Sequence, residues 1–595
     1  MLKQRKQWLA FLALLIVAAT FRISVVQWFP NDSPDDSKTY ARIARNLLEQ
    51  HSFSDAEAPP YDPTLIRLPG YPLFLAAIYK VFGHGNNGAV RIVQALIDTG
   101  TCGLIALLAF YWEPDEKRKR AAALAALALA AVCPFTTIYS ATILTEVPTM
   151  FLSVAMCLAA TLALRKTFTT EDTEENKQRF RKPLLWWLVA GLLGGLAVLF
   201  RPDGGLFVAA VGLTLLVAGI ASFLPLPTGE GTDPKRRSRF ALPAHSTFLR
   251  TLAAGFVFSL AFAFVLTPWT IRNARVFHRF QPVAPAHGEM PSEFVPRGYY
   301  LWVRTWLDHQ RYIDPFLWSL NERPITIDDV PQHAFDSEDE ENRVAALLEK
   351  YNRPNGSQAV NSAPQPSPTP QASATPTPPI PTRSSGKPKS NSTQKNSNAN
   401  ANSNTKDTDD EDDQQGNAND QGDDGDNRDE SDSAPGPHGP VEMTPEIDAA
   451  FAQIARERIA RHPINFYVLL PIARAETMWF DTHSQYWPFE GDLLPLEDMD
   501  YEGHQQFWLP LFAGLTSAYS LLGLLGGWLL WRSGNSAARR YLLLAALVIF
   551  VRLAFFATLE NPEPRYVVEF FPFLSILGGT AIAHLRASLP SKHAS

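Results

Sequence analysis

The sequence predicts an all-α integral membrane protein with about ten transmembrane helices, and three observations carry that prediction. Runs rich in Leu, Ala, Val and Phe recur through the chain, each with the roughly 17 to 25 residues that a helix needs to cross a bilayer. The mean hydropathy of -0.09 resembles that of a soluble protein only because it averages these runs with a very polar middle. Clusters of Lys and Arg occupy alternate short connections between the runs, as in multi-pass membrane proteins.

The apolar runs predict ten spans, the first of which is a retained helix because no clear small-x-small cleavage site follows it. The spans lie at residues 7–29, 88–111, 121–140, 142–164, 184–201, 203–224, 251–269, 507–531, 540–559 and 566–586. The basic connections share a face with the basic N-terminus, so the positive-inside rule predicts that both termini are cytoplasmic. The other face, outside the plasma (inner) membrane, then receives the polar loop after the first span.

Smaller features fit this topology. The segment Leu68–Phe82 is apolar but too short to cross comfortably, which predicts a helix at the membrane interface. Cys102, Cys133 and Cys157 all fall inside apolar runs, so we expect no disulfide or zinc framework.

The long outer segment divides by composition. Residues 270–352 are rich in aromatic side chains, which indicates a segment that is folded or pressed against the membrane. We interpret its outer Trp and Tyr residues as a belt at the level of the lipid headgroups rather than as sugar-stacking platforms. Residues 353–440 are Pro, Ser, Thr, Asn, Gln and Asp, too poor in apolar side chains to offset chain entropy, and predict a disordered insert. Structure resumes at Thr444, a helix N-cap candidate followed by Pro445.

These segments define five predicted regions: 1–272 as a transmembrane module with its first outer loop at 30–70, 273–352 as an outer loop region, 353–440 as the insert, 441–506 as an outer helical region, and 507–595 as the last three spans. The net charge of -7 comes largely from the insert and therefore gives no reason to expect a nucleic-acid partner.

The candidate catalytic and binding residues are ionisable side chains at the outer ends of spans. A charge near hydrocarbon is costly there unless it is paired or takes part in function. The sequence contains no P-loop, no dinucleotide fingerprint, no His-Glu-x-x-His and no Gly-x-Ser-x-Gly, which weakens ATP-driven and hydrolase functions. The groups that remain are Asp35, Asp36, Glu146, Arg201, Arg272, Glu560, Glu563 and Arg565.

Several short motifs around these groups resemble the GT-C glycosyltransferases, the membrane enzymes related to protein O-mannosyltransferases and lipid A aminoarabinose transferases. In chain order the motifs are Asp36-Ser37-x-x-Tyr40, Arg67-x-Pro69-Gly70-Tyr71-Pro72, Leu144-Thr145-Glu146, Thr267-Pro268-Trp269-Thr270-Ile271-Arg272-Asn273 and Glu563-x-Arg565-Tyr566. Each motif alone is weak, and their common order and topology make the set more specific.

The resemblance implies transfer of a sugar, with inversion, from a polyprenyl-phosphate donor to a hydroxyl of a lipid, glycan or protein acceptor on the outer face. In this scheme Asp36 is the general base. Asp35 positions Asp36 or shares a divalent cation with it, Mg²⁺ or Mn²⁺, and metal use stays open. Arg272, Arg565 and Arg201 are the candidates for binding the leaving phosphate. Glu146, Tyr566 and Arg67 complete the predicted substrate-binding set.

Alternatives remain for the function and for the residues. A transporter or flippase of lipid-linked sugars would place charges near the middle of the bilayer, and Arg552 in the ninth span keeps that alternative open. A non-catalytic scaffold would use the acidic insert to hold partners. The aspartates also suit a solvated turn, and arginines at span ends also serve as interface anchors.

Overall fold

The structure is a computed structural model that describes residues 2–29, 35–168, 181–221, 244–291, 293–353, 441–480 and 503–588. Every regular element in these ranges is helical, which confirms the predicted all-α class. Residues up to Asn352 and from Val441 onward form one compact unit.

The helices occupy most of the described chain. The α-helices are α1 (Leu2–Trp28), α2 (Asp35–Glu49), α3 (Gly70–Phe82), α4 (Asn87–Trp112), α5 (Lys119–Ala131), α6 (Pro134–Thr137), α7 (Glu146–Thr167), α8 (Arg181–Phe200), α9 (Gly204–Ala221), α10 (Ala244–Val276), α11 (Arg297–Val303), α12 (Glu338–Tyr351), α13 (Pro445–Arg461), α14 (Leu470–Phe480), α15 (Gly503–Arg532), α16 (Ser536–Ala557) and α17 (Phe571–Ser588). Short 3-10 helices cover Ile138–Ser140, Gln310–Tyr312, Ile327–Asp329, Gln332–Ala334 and Pro564–Phe570. Single π-helical turns cover Asp314–Trp318 and Asn465–Leu469.

Within the described ranges, nine helices are long and apolar enough to cross a membrane. A tenth span forms if α5 and the bent segment Pro134–Ser140 are counted together. These helices follow the predicted spans in order, so the chain is a multi-pass membrane protein. The seventh span, predicted to end at residue 269, continues to Val276 and therefore carries Arg272 in its last turns. α3 is apolar and shorter than a span.

The third span is bent by 57° rather than straight, which corrects the prediction of one continuous helix. The bend comes just before Pro134, whose ring and missing N–H prevent the helix from continuing. Arg22 of α1 donates to the carbonyl oxygens of Ala130 and Ala131, at 3.2 Å each. Arg22 also pairs with Asp98 of α4 at 2.6 Å, so a buried ion pair satisfies the carbonyls that the break exposes.

The polar connections collect at two ends of the helix bundle. At one end, Arg120 donates to Gln7 of α1, and His584 of α17 lies 3.5 Å from Glu113. The two ends of the described chain therefore lie at the same end of the bundle. At the opposite end, which we call the loop end, α2 meets the connection that leads into α7. The start of α7 meets the turn between α8 and α9 at the same end.

α17 is buried from Phe571 to Ala581 at the centre of the bundle, and glycines allow its close contacts. A Cβ atom on Gly526 of α15 would lie 1.9 Å from the carbonyl oxygen of Leu577. A Cβ atom on Gly579 of α17 would lie 2.6 Å from the carbonyl oxygen of Ala122 in α5. Small residues let these helices approach closely, which is how helices commonly pack within a bilayer.

A second hydrophobic core lies outside the spans, and both sides of the segment 354–440 contribute to it. Its buried members include Tyr299, Trp302, Trp306, Tyr351, Val441, Met443 and Phe451. The aromatic-belt interpretation is therefore wrong for Tyr299, Trp302 and Trp306, which are packed side chains of this outer core. Thr444 caps α13 as predicted, since its side chain accepts from the Ile447 N–H. The disorder predicted for the insert falls outside the described residues, apart from Arg353.

α14 joins the outer core to the spans through the buried side chain of Arg474. Its guanidinium donates to the carbonyl oxygens of Leu307 and Arg304, at 2.7 Å each, and reaches the carbonyl of Ala557 at the end of α16. Burial and the neighbouring Arg304 lower the pKa of Arg474 to about 10, so it stays charged near neutral pH. The outer core is thus fastened to the loop end of the bundle.

Candidate active site

The first outer loop forms α2, which brings Asp36 to the loop end. The carboxylate of Asp36 pairs with Arg67 at 2.5 Å, and both side chains are about one-third exposed. Ser37 donates to the carbonyl oxygen of Ile143 at 2.8 Å, which fixes the start of α2 against the connection before α7. The side chain of Asp35 lies outside what the structure describes.

Arg67 belongs to a segment that also contacts Arg272. Arg272 of α10 donates to the carbonyl oxygen of Thr64 at 2.8 Å and to the side chain of Asn273 at 2.9 Å. Gly70 follows at the start of α3, where a Cβ atom would lie 2.6 Å from the carbonyl oxygen of Leu199. The close approach explains why glycine stands in this motif and holds the segment against the end of α8.

Glu146 and Arg201 form a second group at the loop end. Arg201 Nη1 donates to Glu146 Oε1 at 2.6 Å, and Arg201 Nε lies 3.0 Å from Asp203 Oδ1. Asp203 also accepts from Arg552 Nη2 at 2.6 Å, and the same nitrogen lies 2.5 Å from Glu569 Oε2. Burial opposes the charge of Asp203, but Arg201 and Arg552 outweigh it and lower the pKa of this carboxyl.

The segment after α16 brings the last predicted residues to the same group. Arg565 pairs with Glu563 at 2.5 Å, and the Tyr566 hydroxyl donates to Glu563 at 2.6 Å. The Tyr566 ring lies under the guanidinium groups of Arg201 and Arg565, each 5.5 Å from the ring centre. Arg552 Nε donates to the Tyr566 carbonyl oxygen at 2.7 Å.

Tyr40 of α2 lies between the two groups. Its ring is 5.7 Å from the Arg67 guanidinium carbon and packs edge-on against Tyr71. Burial raises the pKa of Tyr40 to about 12, and the charges of Arg67, Asp36, Glu146 and Arg201 all act on it. Tyr40 therefore stays a neutral phenol near neutral pH. It lies within electrostatic range of both the Asp36–Arg67 pair and the Glu146–Arg201 pair.

The four candidate arginines differ in how their charge is balanced. Arg67, Arg201 and Arg565 each pair with a carboxylate, which cancels much of their attraction for an anion. In the part of the chain that the structure describes, Arg272 has no carboxylate within 4.0 Å and contacts only neutral oxygens and aromatic rings. Arg272 is thus the candidate arginine best suited to an added anion.

A divalent-cation site needs several oxygen ligands, and Mg²⁺ or Mn²⁺ usually takes them from carboxylates and water. No group of three or more His, Cys, Asp or Glu side chains in metal-binding arrangement occurs among the described residues. Asp36 is the one candidate ligand whose side chain is described, and it is already paired with Arg67. These residues do not form a metal site by themselves, and we derive no step through a metal.

The structure also reveals partners that the sequence did not single out as site residues. Nothing in the sequence marked Glu569 as a site residue, because it lies within an apolar span and in no motif. Asp203 lies two residues after Arg201 and in none of the motifs, and Arg552 entered only as the charge that kept the transporter alternative open. Their burial in one ion-paired cluster with Arg201 is a tertiary feature that joins residues far apart in the chain.

Comparison with known proteins relates one segment of the chain to a protein family. The family model for dolichyl-phosphate-mannose-protein mannosyltransferases matches residues 63–226. Because of this similarity we call residues 63–226 the GT-C module. The GT-C module contains Arg67, Glu146 and Arg201, whereas Asp36 and Arg272 lie outside the matched residues. The match covers residues 63–226 of a chain of 595, so it is a similarity of this segment and not of the whole chain.

Solved structures give a weaker likeness. The crystal structure of ArnT from Cupriavidus metallidurans bound to undecaprenyl phosphate has 12% sequence identity and a TM-score of 0.32, covering 97% of this chain and 78% of that chain. The apo structure of the same protein has 13% identity and a TM-score of 0.30, covering 98% and 78%. TM-scores this low do not by themselves establish a shared fold. No curated protein sequence matches the chain.

Proposed function

We propose that this GT-C enzyme transfers a sugar, with inversion, from a polyprenyl-phosphate donor to an acceptor hydroxyl at the loop end. The observation that carries the proposal is the match of residues 63–226 to a family named for a polyprenyl-phosphate sugar donor. The placement of Asp36, Arg67 and Arg272 around one short segment, 64–67, supports it.

Asp36 serves as the general base in this proposal. Arg67 fixes the direction of the carboxylate through an ion pair, and one-third exposure leaves the carboxylate open to an incoming acceptor. The acceptor oxygen attacks the anomeric carbon from the face opposite the phosphate while its proton passes to Asp36. The bond from the anomeric carbon to the phosphate oxygen breaks, and the electron pair leaves with the lipid phosphate.

Arg272 binds the donor phosphate in this proposal. Its guanidinium lies against the rings of Trp269, Phe277 and Phe53, 4.9 to 5.5 Å from their centres, and so keeps its orientation without losing its charge to a carboxylate. A planar guanidinium donates paired hydrogen bonds to phosphate oxygens and stabilises the charge that develops there. Arg201, Arg565, Tyr566 and Glu146 shape the wall of the site rather than supply a free positive charge.

The proposed location is the outer face of the plasma (inner) membrane. The end of the bundle opposite the site carries the basic connections that include Arg118, Arg120, Arg539 and Arg540, and the positive-inside rule makes that end cytoplasmic. Both termini then lie in the cytoplasm, and the site faces outward. The acceptor is a lipid, glycan or protein hydroxyl, and the use of Mg²⁺ or Mn²⁺ stays open.

The transporter alternative loses its main support. Arg552 was the charge that favoured a pathway through the bilayer, but it is fully buried between Asp203 and Glu569. An arginine held by two carboxylates is a poor site for a passing phosphate. The five-region division of the chain stays a proposal, although both 273–352 and 441–506 contribute to the outer core.

The proposed function is tested with purified enzyme in lipid and a panel of polyprenyl-phosphate sugars, with released lipid phosphate as the readout. We expect release with at least one donor when an acceptor is present. Asp36→Asn should fold and insert normally yet lose transfer by two to four orders of magnitude, about the contribution of a general base. Glu57→Gln, on the exposed surface of the same outer loop, is the matched control and should transfer normally. Full activity of Asp36→Asn would remove Asp36 from the mechanism.

A further inference from the structure

Arg552 occupies the middle of the buried cluster at the loop end, and the proposed reaction gives it no role. Its side chain is fully buried in α16. It reaches Asp203 at 2.6 Å, Glu569 at 2.5 Å and the carbonyl oxygen of Tyr566 at 2.7 Å. One side chain therefore contacts three separate points of the site wall.

These three points belong to different parts of the chain. Asp203 lies in the GT-C module, 349 residues before Arg552, and also contacts Arg201. Tyr566 and Glu569 lie in the 3-10 helix Pro564–Phe570 that leads into α17. Arg552 thus connects the turn that carries Arg201 with the segment that carries Arg565 and Tyr566.

The charge balance explains why this connection is needed. Glu146 and Glu569 are buried carboxylates, and together with Asp203, whose side chain is 9% exposed, they share the two guanidinium groups of Arg201 and Arg552. Without Arg552, Asp203 and Glu569 would lose their common partner and repel each other in a low-dielectric site. The segment around Tyr566 would then move away from the turn at Asp203.

We propose that Arg552 is a positioning residue for sugar transfer, which holds the segment 560–566 against the Arg201 turn so that both walls of the site form together. This inference rests on the proposed function and deepens it. Arg552 touches no reacting atom in this arrangement. It acts through Tyr566, whose carbonyl it holds and whose ring lies under Arg201 and Arg565.

The test separates positioning from stability. Arg552→Met leaves the buried carboxylate of Glu569 unpaired and Asp203 with Arg201 alone, so the double variant Arg552→Met/Glu569→Gln is used to remove the excess charge. The matched control is Arg458→Met/Glu340→Gln in the outer core, where Arg458 likewise pairs with two carboxylates, Asp336 and Glu340. Arg552→Lys serves as a third variant that keeps the charge.

Two readouts are taken on folded, monodisperse protein. We expect Arg552→Met/Glu569→Gln to lower kcat at saturating donor by about tenfold or more, because a small displacement of reacting groups is costly. Arg552→Lys should recover part of kcat, and the outer-core control should keep wild-type kcat. Amide hydrogen exchange over residues 560–570 should become faster in the Arg552 double variant and not in the control.

Wild-type kcat in the Arg552 double variant would overturn the inference, as would an equal loss of kcat in the control. Unchanged hydrogen exchange over 560–570 would overturn it even if sugar transfer proved not to be the reaction. Failure of the wild-type enzyme to release lipid phosphate from any donor would instead overturn the proposed function, and it leaves the exchange readout to decide the role of Arg552.

Discussion

Arg272 shows how charge balance distinguishes residues that look alike in sequence. Motifs placed Arg67, Arg272 and Arg565 in one candidate set, and its position at the outer end of a span added Arg201. In the structure, three of the four are paired with carboxylates at 2.5 to 2.6 Å. Arg272 instead rests on aromatic rings and carbonyl or amide oxygens, which orient a guanidinium without neutralising it.

We predict that Arg272→Gln raises the donor KM by about 10- to 100-fold, the equivalent of about 1.5 to 3 kcal/mol for hydrogen bonds to a charged group. Arg272→Lys should recover only part of this loss, because a lysine ammonium cannot make the paired contacts of a planar guanidinium. Steady-state kinetics with a polyprenyl-phosphate sugar measures both effects.

The control for this prediction is Arg275→Gln, one turn further along α10 with an exposed side chain. It removes the same charge from the same helix and should leave the donor KM unchanged. An equal rise in KM for both variants would mean that the helix end attracts the donor only through its general positive charge.

Residue identity was predictable where a local motif carried it. Asp36, Arg67 and Glu146 come from short motifs, and the structure brings Asp36 and Arg67 into contact. Glu569 was not predictable, because its partner Arg552 lies in another helix and is shared with Asp203 from a distant part of the chain, and only packing reveals that the three meet. Pairing that depends on distant residues leaves no periodic signal in the sequence.

Helix packing at the centre of the bundle depends on glycines as much as on apolar side chains. Gly526 of α15 faces the backbone of α17 at a distance that excludes a Cβ atom. Gly514 lies on the same helix, and no atom lies within 4 Å of the position that a Cβ atom would take there. The same substitution at these two positions should therefore have opposite effects.

We predict that Gly526→Ala lowers the free energy of unfolding by about 1 to 3 kcal/mol or more, as expected for overpacking against backbone. Gly514→Ala should be neutral or stabilise by up to about 1 kcal/mol, because alanine favours a helix more than glycine does. Thermal unfolding in detergent compares the two. A Tm for Gly526→Ala at or above that of Gly514→Ala would contradict the close packing of α15 and α17.

Most spans were predictable because a long apolar run determines a membrane helix almost by itself. The break in the third span was missed, although Pro134 stood in the sequence as its signal. The ion pair of Arg22 and Asp98 that supports the break was beyond prediction, since it joins two other helices. The local sequence determined the helices and the position of the bend at Pro134, and side-chain pairing between helices supports that bend.

The whole protein combines a helical bundle with an outer core that is assembled from two distant segments. Tyr351 and Val441 lie at the ends of these two segments and in the same hydrophobic core. Met443 N–H donates to Asn321, and Asn352 bonds with the backbone of Ile325. The chain between Asn352 and Val441 therefore links two segments that already pack against each other in the outer core.

We predict that deletion of residues 360–435 leaves sugar transfer nearly intact, because the outer core and the site residues all lie outside that segment. Released lipid phosphate per folded enzyme is the measurement. The control deletion removes residues 441–455, which supply Val441, Met443 and Phe451 to the core, and should prevent folding. Loss of transfer in the first deletion, with normal folding, would give the insert a role in the reaction.

Because Tyr351 and Val441 pack in the same hydrophobic core, the chain that links them is not needed to hold their two segments together. Two separately translated polypeptides, 1–353 and 441–595, each bring one half of the outer core and complementary spans. Co-expression of the halves should reconstitute a working enzyme in the membrane. Each half expressed alone should be inactive, so recovery of sugar transfer on co-expression measures assembly of the two halves.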